Sequence, residues 1–128
     1  MTASVPITIL VVDDAEDCVA TLEVALQSML GVLVCPARTA EEALVRLGGQ
    51  LADAVITDIH LPAMNGLEFI ARIRRDPRLR ALPVIVVSAD ADPAAPHAAL
   101  ESGADAYFAK PFSPVAVRKK LEELIHAR

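Results

Sequence analysis

Five short runs of aliphatic, largely β-branched residues alternate with longer segments of helical spacing, and this alternation leaves the chain very few folds. The runs are Ile7–Val12, Val32–Cys35, Ala54–Thr57, Val84–Val87 and Ala106–Ala109. Each is apolar at successive positions and bounded by turn residues, so each reads as a strand buried on both faces. Between them, apolar residues recur at helical intervals. Cys18, Leu22, Ala25, Leu26 and Met29 form one stripe, and Ala43, Leu44 and Leu47 a second. Leu67, Ile70, Ala71 and Arg74 mark a third; Val117, Leu121, Leu124 and Ile125 form the last.

Local punctuation supports the helices. Gly31 is expected to cap the first helix at its C-terminus. Thr39, with Glu42 three residues on, predicts a capping box. Asp92-Pro93 and Ser113-Pro114 both read as an N-cap followed by proline at the first helical position. Pro96 lacks an amide hydrogen, which predicts a fourth helix that is short or irregular at its start. Strict strand–helix alternation implies a parallel sheet with helices on both faces. With right-handed crossovers, the expected architecture is one α/β domain over residues 1–128, a flavodoxin-like doubly wound (βα)5 fold with strand order 2-1-3-4-5. Ligands in such folds sit beyond the carboxyl ends of the strands, near the switch point between strands 1 and 3.

Composition excludes some functions. Hydrophobic residues make up 54% and aromatics only 3%, so the core must be aliphatic. A net charge of -5 offers no electrostatic footprint for nucleic acid, and no direct DNA contact is expected. Cys18 and Cys35 are far apart and form no CxxC pattern, which predicts reduced thiols. Met1 to Pro6 carries no basic segment ahead of an apolar run, so no secretory signal is read there. No apolar run approaches the ~20 residues that a membrane helix needs. A soluble, cytoplasmic protein is expected.

Polar residues at the strand ends carry the chemistry. The first strand is followed by Asp13 and Asp14, the third by Asp58, the fourth by Ser88 and the fifth by Lys110-Pro111. The topology would bring them to one edge of the sheet. Three carboxylates in one cleft repel each other, and a hard divalent cation removes the conflict. Mg²⁺ favours oxygen ligands and is typically held by one or two carboxylates plus phosphate oxygens. Lys110 adds a positive charge and Ser88 a small donor, which suits phosphoryl transfer. An aspartate can be the nucleophile, through an aspartyl phosphate.

The segments ILVVDD, ITDIHLPAMNGLEFI, VIVVSADA and GADAYFAKPF resemble the signature blocks of response-regulator receiver domains. The resemblance runs from about Thr8 to Ile125, in the family's order and spacing. It implies that Asp58 accepts a phosphoryl group from a phosphohistidine on a sensor histidine kinase or histidine phosphotransfer protein. It implies Mg²⁺ held by Asp14 directly, by Asp13 through water, by Asp58 and by the backbone carbonyl of His60. Ser88 and Lys110 would contact the phosphoryl group. Ser88 and Tyr107 would form the switch, and the fourth helix, fifth strand and fifth helix the output face toward a downstream protein or attached output domain. Pro62 and Gly66 would shape the loop after Asp58, and Lys110-Pro111 resembles the family's cis-peptide junction. His60 and Asp90 each stand two residues beyond a site residue, which suggests that they set the lifetime of the phosphoryl group.

Two other functions compete. A flavin carrier on this fold needs a Ser/Thr-rich phosphate loop after the first strand, where the chain has Asp13-Asp14-Ala15-Glu16-Asp17. A phosphatase using an aspartyl intermediate wants a second aspartate where His60 stands. His60, His97 and His126 have no zinc-ligand spacing. Arg72, Arg74, Arg75, Arg78 and Arg80 are expected to be a solvated helix end and loop. Either a stand-alone regulator or the receiver of a longer protein fits the sequence.

Overall fold

A computed structural model describes residues 6–29, 31–50 and 52–127. The reading of Met1 to Pro6 as lacking a secretory signal falls, but for Pro6, outside them. The elements alternate as β1 (Ile7–Val12), α1 (Glu16–Leu26), β2 (Val32–Ala37), α2 (Ala40–Gly49), β3 (Ala54–Thr57), α3 (Gly66–Arg75), β4 (Val84–Ser88), α4 (Ala95–Ser102), β5 (Ala106–Ala109) and α5 (Pro114–His126). All strand pairs are parallel, in the order β2-β1-β3-β4-β5, as expected. No helix among the described residues is long and apolar enough to cross a membrane.

The strands divide their side chains between two cores, which is why they are apolar at nearly every position. Ile9, Val11, Ile56, Ile85 and Val87 meet Leu22, Leu26, Val117 and Leu121 from α1 and α5. Leu10, Val12, Val55, Val84 and Val86 meet Leu47, Phe69, Ile70 and Ile73 from α2 and α3. Each large side chain so buried contributes about 1.5–3 kcal/mol. Among the helices, α4 is the exception, because its buried residues are only Ala95 and Ala99. Two methyl-sized contacts anchor it far less than Phe69, Ile70 and Ile73 anchor α3.

Several local expectations shift. The first helix ends at Leu26 and is capped by Gln27, whose amide reaches the Glu23 carbonyl. Gly31 instead takes φ +76° in the turn into β2 and accepts a bond from the Ile7 amide there. Strand β2 runs two residues past Cys35, taking in Pro36, which an edge strand tolerates. Thr39 caps α2 by accepting from the Glu42 amide at 3.0 Å, but the Glu42 carboxylate returns to the Arg38 amide, one residue early for a capping box. Ser113 caps α5, with Pro114 first in the helix. Asp92 does not cap α4 directly; that helix is short and begins at Ala95, with Pro96 in its first turn, where its missing N–H costs nothing. The α3 stripe is rotated from the expected one. Gly66, Phe69, Ile70 and Ile73 face inward, since burying Phe69 and Ile73 outweighs burying Ala71 and Arg74.

Candidate functional site

Parallel pairing sets the carboxyl ends of the strands side by side. Val12 pairs with Thr57, Thr57 with Val86, and Ser88 with Ala109. Asp13, Asp58 and Lys110 each follow these ends directly, and Ser88 is the last residue of β4 rather than the first beyond it. The Lys110 Nζ donates to Asp13 Oδ2 at 3.0 Å and to Asp58 Oδ2 at 2.9 Å. Both acids are nearly inaccessible, Asp13 being 2% and Asp58 7% exposed. Burial alone would lower the lysine's pKa, but the hydrogen bonds and charges of Asp58 and Asp13 outweigh it and hold the ammonium above its ordinary range.

Each carboxylate is further fixed by its own loop. Asp58 Oδ1 accepts from the Ile59 amide at 2.6 Å and more weakly from the His60 amide at 3.3 Å. Thr57 donates its hydroxyl to the Asp58 carbonyl at 2.9 Å. Asp13 Oδ1 accepts from the Ala15 amide at 2.9 Å. Burial first, and the neighbouring Asp13 carboxylate second, push the Cys18 thiol's pKa up to about 12. Cys18 is therefore a protonated neighbour of the site, a placement the sequence showed only as one turn of the α1 stripe.

Gly66 closes the loop after Asp58. Its amide donates to the Ile59 carbonyl at 2.7 Å, and a Cβ at this position would overlap the Asp58 carbonyl oxygen. Within the loop, Ala63 takes φ 62°, a left-handed conformation for a residue with a Cβ. Pro62 is exposed beside it. Gly66→Ala is expected to cost about 1–3 kcal/mol, as overpacking of backbone does, measured by urea denaturation. An unchanged midpoint would mean that the close approach is not needed.

The remaining candidates stand around this centre. Asp14 is exposed, at the mouth of a groove of about 330 Å³ lined also by Asp13, Glu16, Pro36 and Arg38. Among the described residues, no three His, Cys, Asp or Glu side chains converge as a ready metal cage. Ser88 is fully buried, and its Oγ accepts from the Asp90 amide at 3.1 Å. The His60 ring nitrogen Nε2 lies 2.9 Å from Asp90 Oδ2. The Asp92 amide first, and the His60 ring second, hold the Asp90 carboxyl below the usual carboxylate range. The Lys110-Pro111 peptide bond is cis, as the resemblance implied.

Tyr107 is half-buried against the α2–α3–α4 core, and its hydroxyl is buried with no partner among the described residues. A buried hydroxyl without a partner costs about 1–3 kcal/mol. Tyr107→Phe should therefore raise the melting temperature, and a fall would show that the hydroxyl is satisfied.

Arg74 departs most from expectation. It is not part of a solvated basic stretch. Its guanidinium donates to the carbonyls of Gly103, Arg80 and Leu82 and to the Asp105 carboxylate. These partners lie between 6 and 31 residues away in the chain, so no local pattern announces them.

Residues 9–122 match the family model described as the response regulator receiver domain. The chain is 36% identical over 102 residues to a gliding motility regulatory protein of Myxococcus xanthus, covering 80% of this chain and 13% of that protein. It is 35% identical over 71 residues to the chemotaxis protein CheY1 of Helicobacter pylori, covering 56% of this chain and 57% of that one. It thus spans less than two thirds of either curated relative. A crystal structure of a Chloroflexus aurantiacus protein described as a response regulator superposes with a TM-score of 0.87 at 38% identity, covering 96% of this chain and 99% of that one.

Proposed function

The chain belongs to the response regulator receiver domain family, and on that premise we propose that it is a phosphorylation switch in which Asp58 takes a phosphoryl group from a phosphohistidine on a partner kinase or phosphotransfer protein. Receiver domains of two-component systems are phosphorylation switches in general; the finer reading concerns these residues. The observation that carries it is the single ammonium of Lys110 held between two buried carboxylates. An Asp58 carboxylate oxygen forms the new P–O bond. The P–N bond to the donor imidazole breaks, and the ring leaves with the electron pair and takes up a proton. Lys110 is within reach of both Asp58 and the group it would acquire, and offsets the charge on the transferring oxygens. Ser88 reaches a phosphoryl oxygen by giving up its bond to the Asp90 amide, while the Tyr107 ring moves in behind it.

The donor set suits Mg²⁺. It is made of oxygens only: the carboxylates of Asp13, Asp14 and Asp58 and the carbonyl of His60, with Asp13 acting through water. One or two direct carboxylates and several waters are what this ion usually takes, so the lack of a three-carboxylate cage is no obstacle. When bound, Mg²⁺ supplies positive charge against the phosphoryl oxygens. The contact between His60 and Asp90 spans the loops after β3 and β4 and supports a role for the pair in the lifetime of the aspartyl phosphate. The chain promotes only its own phosphorylation and dephosphorylation, and output passes through the α4–β5–α5 face to a downstream protein or attached domain.

Incubation with Mg²⁺ and acetyl phosphate tests this reading. The expected result is a mass gain of one phosphoryl group that hydroxylamine removes, as it does from an acyl phosphate. No gain in the presence of Mg²⁺ sinks it.

A further inference from the structure

The loop from Ser88 to α4 is held by a regular series of side-chain bonds. Ser88 Oγ accepts from the Asp90 amide at 3.1 Å. Asp90 Oδ1 accepts from the Asp92 amide at 2.9 Å. Asp92 Oδ1 accepts from the Ala94 amide at 2.9 Å, and the Asp92 carbonyl accepts from the Ala95 amide at 3.0 Å. Every second residue thus lends an oxygen to the amide two positions on. Ala94 has no side-chain oxygen and Pro96 no amide hydrogen, so Asp92 makes the last bond of this series before the helix.

The other end of α4 is fastened differently. Gly103 ends the helix with φ 118°. Arg74 Nε donates to the Gly103 carbonyl at 2.9 Å, and Arg74 Nη2 donates to Asp105 Oδ2 at 3.1 Å. The same carboxylate oxygen accepts from the Val84 amide at 2.8 Å. Arg74 Nη1 is tied to the Arg80 and Leu82 carbonyls. A Cβ on Gly103 would strike the Arg74 side chain. One end of α4 is therefore clamped by one rigid guanidinium with four acceptors, the other by short loop bonds in series, steadied from outside the loop by the contact of the His60 ring with Asp90, and the helix buries only Ala95 and Ala99 between them.

The geometry points to Asp92 as a positioning residue, the last rung of a ladder running Ser88–Asp90–Asp92 that seats the N-terminal end of α4, and to Arg74 as the fixed pivot at its C-terminal end. This rests on the reading of Asp58 as phosphoacceptor. When Ser88 turns its hydroxyl toward a phosphoryl group, the first rung opens and the Asp90 amide is released. Asp92 then loses the partner that orients its backbone, and α4 swings at its N-terminal end while Arg74 holds the other.

Hydrogen exchange read by mass spectrometry, with Mg²⁺ and with or without fluoroberyllate as phosphoryl mimic, tests this. In the parent chain the mimic should raise exchange about tenfold, the loss of roughly one hydrogen bond, across residues 89–98 and leave residues 101–106 unchanged. Asp92→Ala should show the raised exchange at residues 94–98 without the mimic, whereas Asp92→Asn, which keeps the acceptor oxygen, should behave as the parent. Arg74→Met should raise exchange at residues 101–106 in both states. Fluoroberyllate that binds without changing residues 89–98 overturns the ladder, as does equal behaviour of Asp92→Ala and Asp92→Asn. If the mimic fails to bind the parent chain, the phosphoacceptor reading falls; the two Asp92 variants compared without mimic still decide the ladder.

Discussion

Asp58→Asn should lose phosphoryl uptake from acetyl phosphate entirely, to the background of a reaction without protein. The substitution is nearly isosteric. An Asn oxygen can still accept from the Ile59 and His60 amides, which now bond Asp58 Oδ1, so the loop keeps its shape. What disappears is the anionic oxygen facing Lys110, the one able to form an acyl phosphate. Folding should survive, because Lys110 retains Asp13 at 3.0 Å and one of two mutually repelling buried charges is gone. The measurement is intact mass after incubation with Mg²⁺ and acetyl phosphate, alongside a denaturation curve showing the variant folded. A mass gain equal to the parent's would move the acceptor to another side chain, Asp13 being the nearest carboxylate across the lysine.

Lys110→Met should be the most damaging substitution for stability, by about 3 kcal/mol at neutral pH, the lower end of the cost of orphaning a buried ion pair. The lower end applies because Lys110 keeps some contact with solvent, its side chain being 20% exposed, whereas Asp13 and Asp58 keep almost none. In the parent, the lysine's pKa is raised on folding. Its stabilisation is therefore fully present below the ordinary lysine range and is lost only as pH rises through the raised value. At neutral pH the variant forfeits all of it. Two facing carboxylates then remain buried without a counter-ion, and their mutual repulsion goes unopposed. Mg²⁺ should restore part of the loss, since binding the folded state stabilises it by mass action. A loss of stability that is indifferent to Mg²⁺ would mean that Lys110 acts through packing alone.

Much of this protein is legible in one dimension, for reasons that differ by element. The strands could be read because a sheet covered on both faces demands apolar residues in succession, and Ile9 to Val12 or Val84 to Val87 are nothing else. Thr39 and Ser113 could be read as caps because a cap is a contact over three residues. The third helix was harder. Several apolar stripes fit its sequence, and the choice fell to whichever filled the core, with Gly66 pressed against the Asp58 backbone. The start of α4 lies two residues beyond the expected one, because Asp92 bonds the loop amide of Ala94 instead of a helical one.

Residue types and their order along the chain determined the fold, the strand order and the set of groups at the carboxyl edge of the sheet: Asp13, Asp14, Asp58, Ser88 and Lys110. These follow from periodicity and handedness, which act locally and repeat along the chain. Only the tertiary structure decided how those groups face one another. It put one ammonium between Asp13 and Asp58, turned the Ser88 hydroxyl toward Asp90, and made Arg74 a clamp on Gly103 and Asp105. A hydrogen bond depends on the position of its partner to within tenths of an ångström. For Lys110 that partner is 52 or 97 residues away, and the intervening chain must be packed before the contact exists.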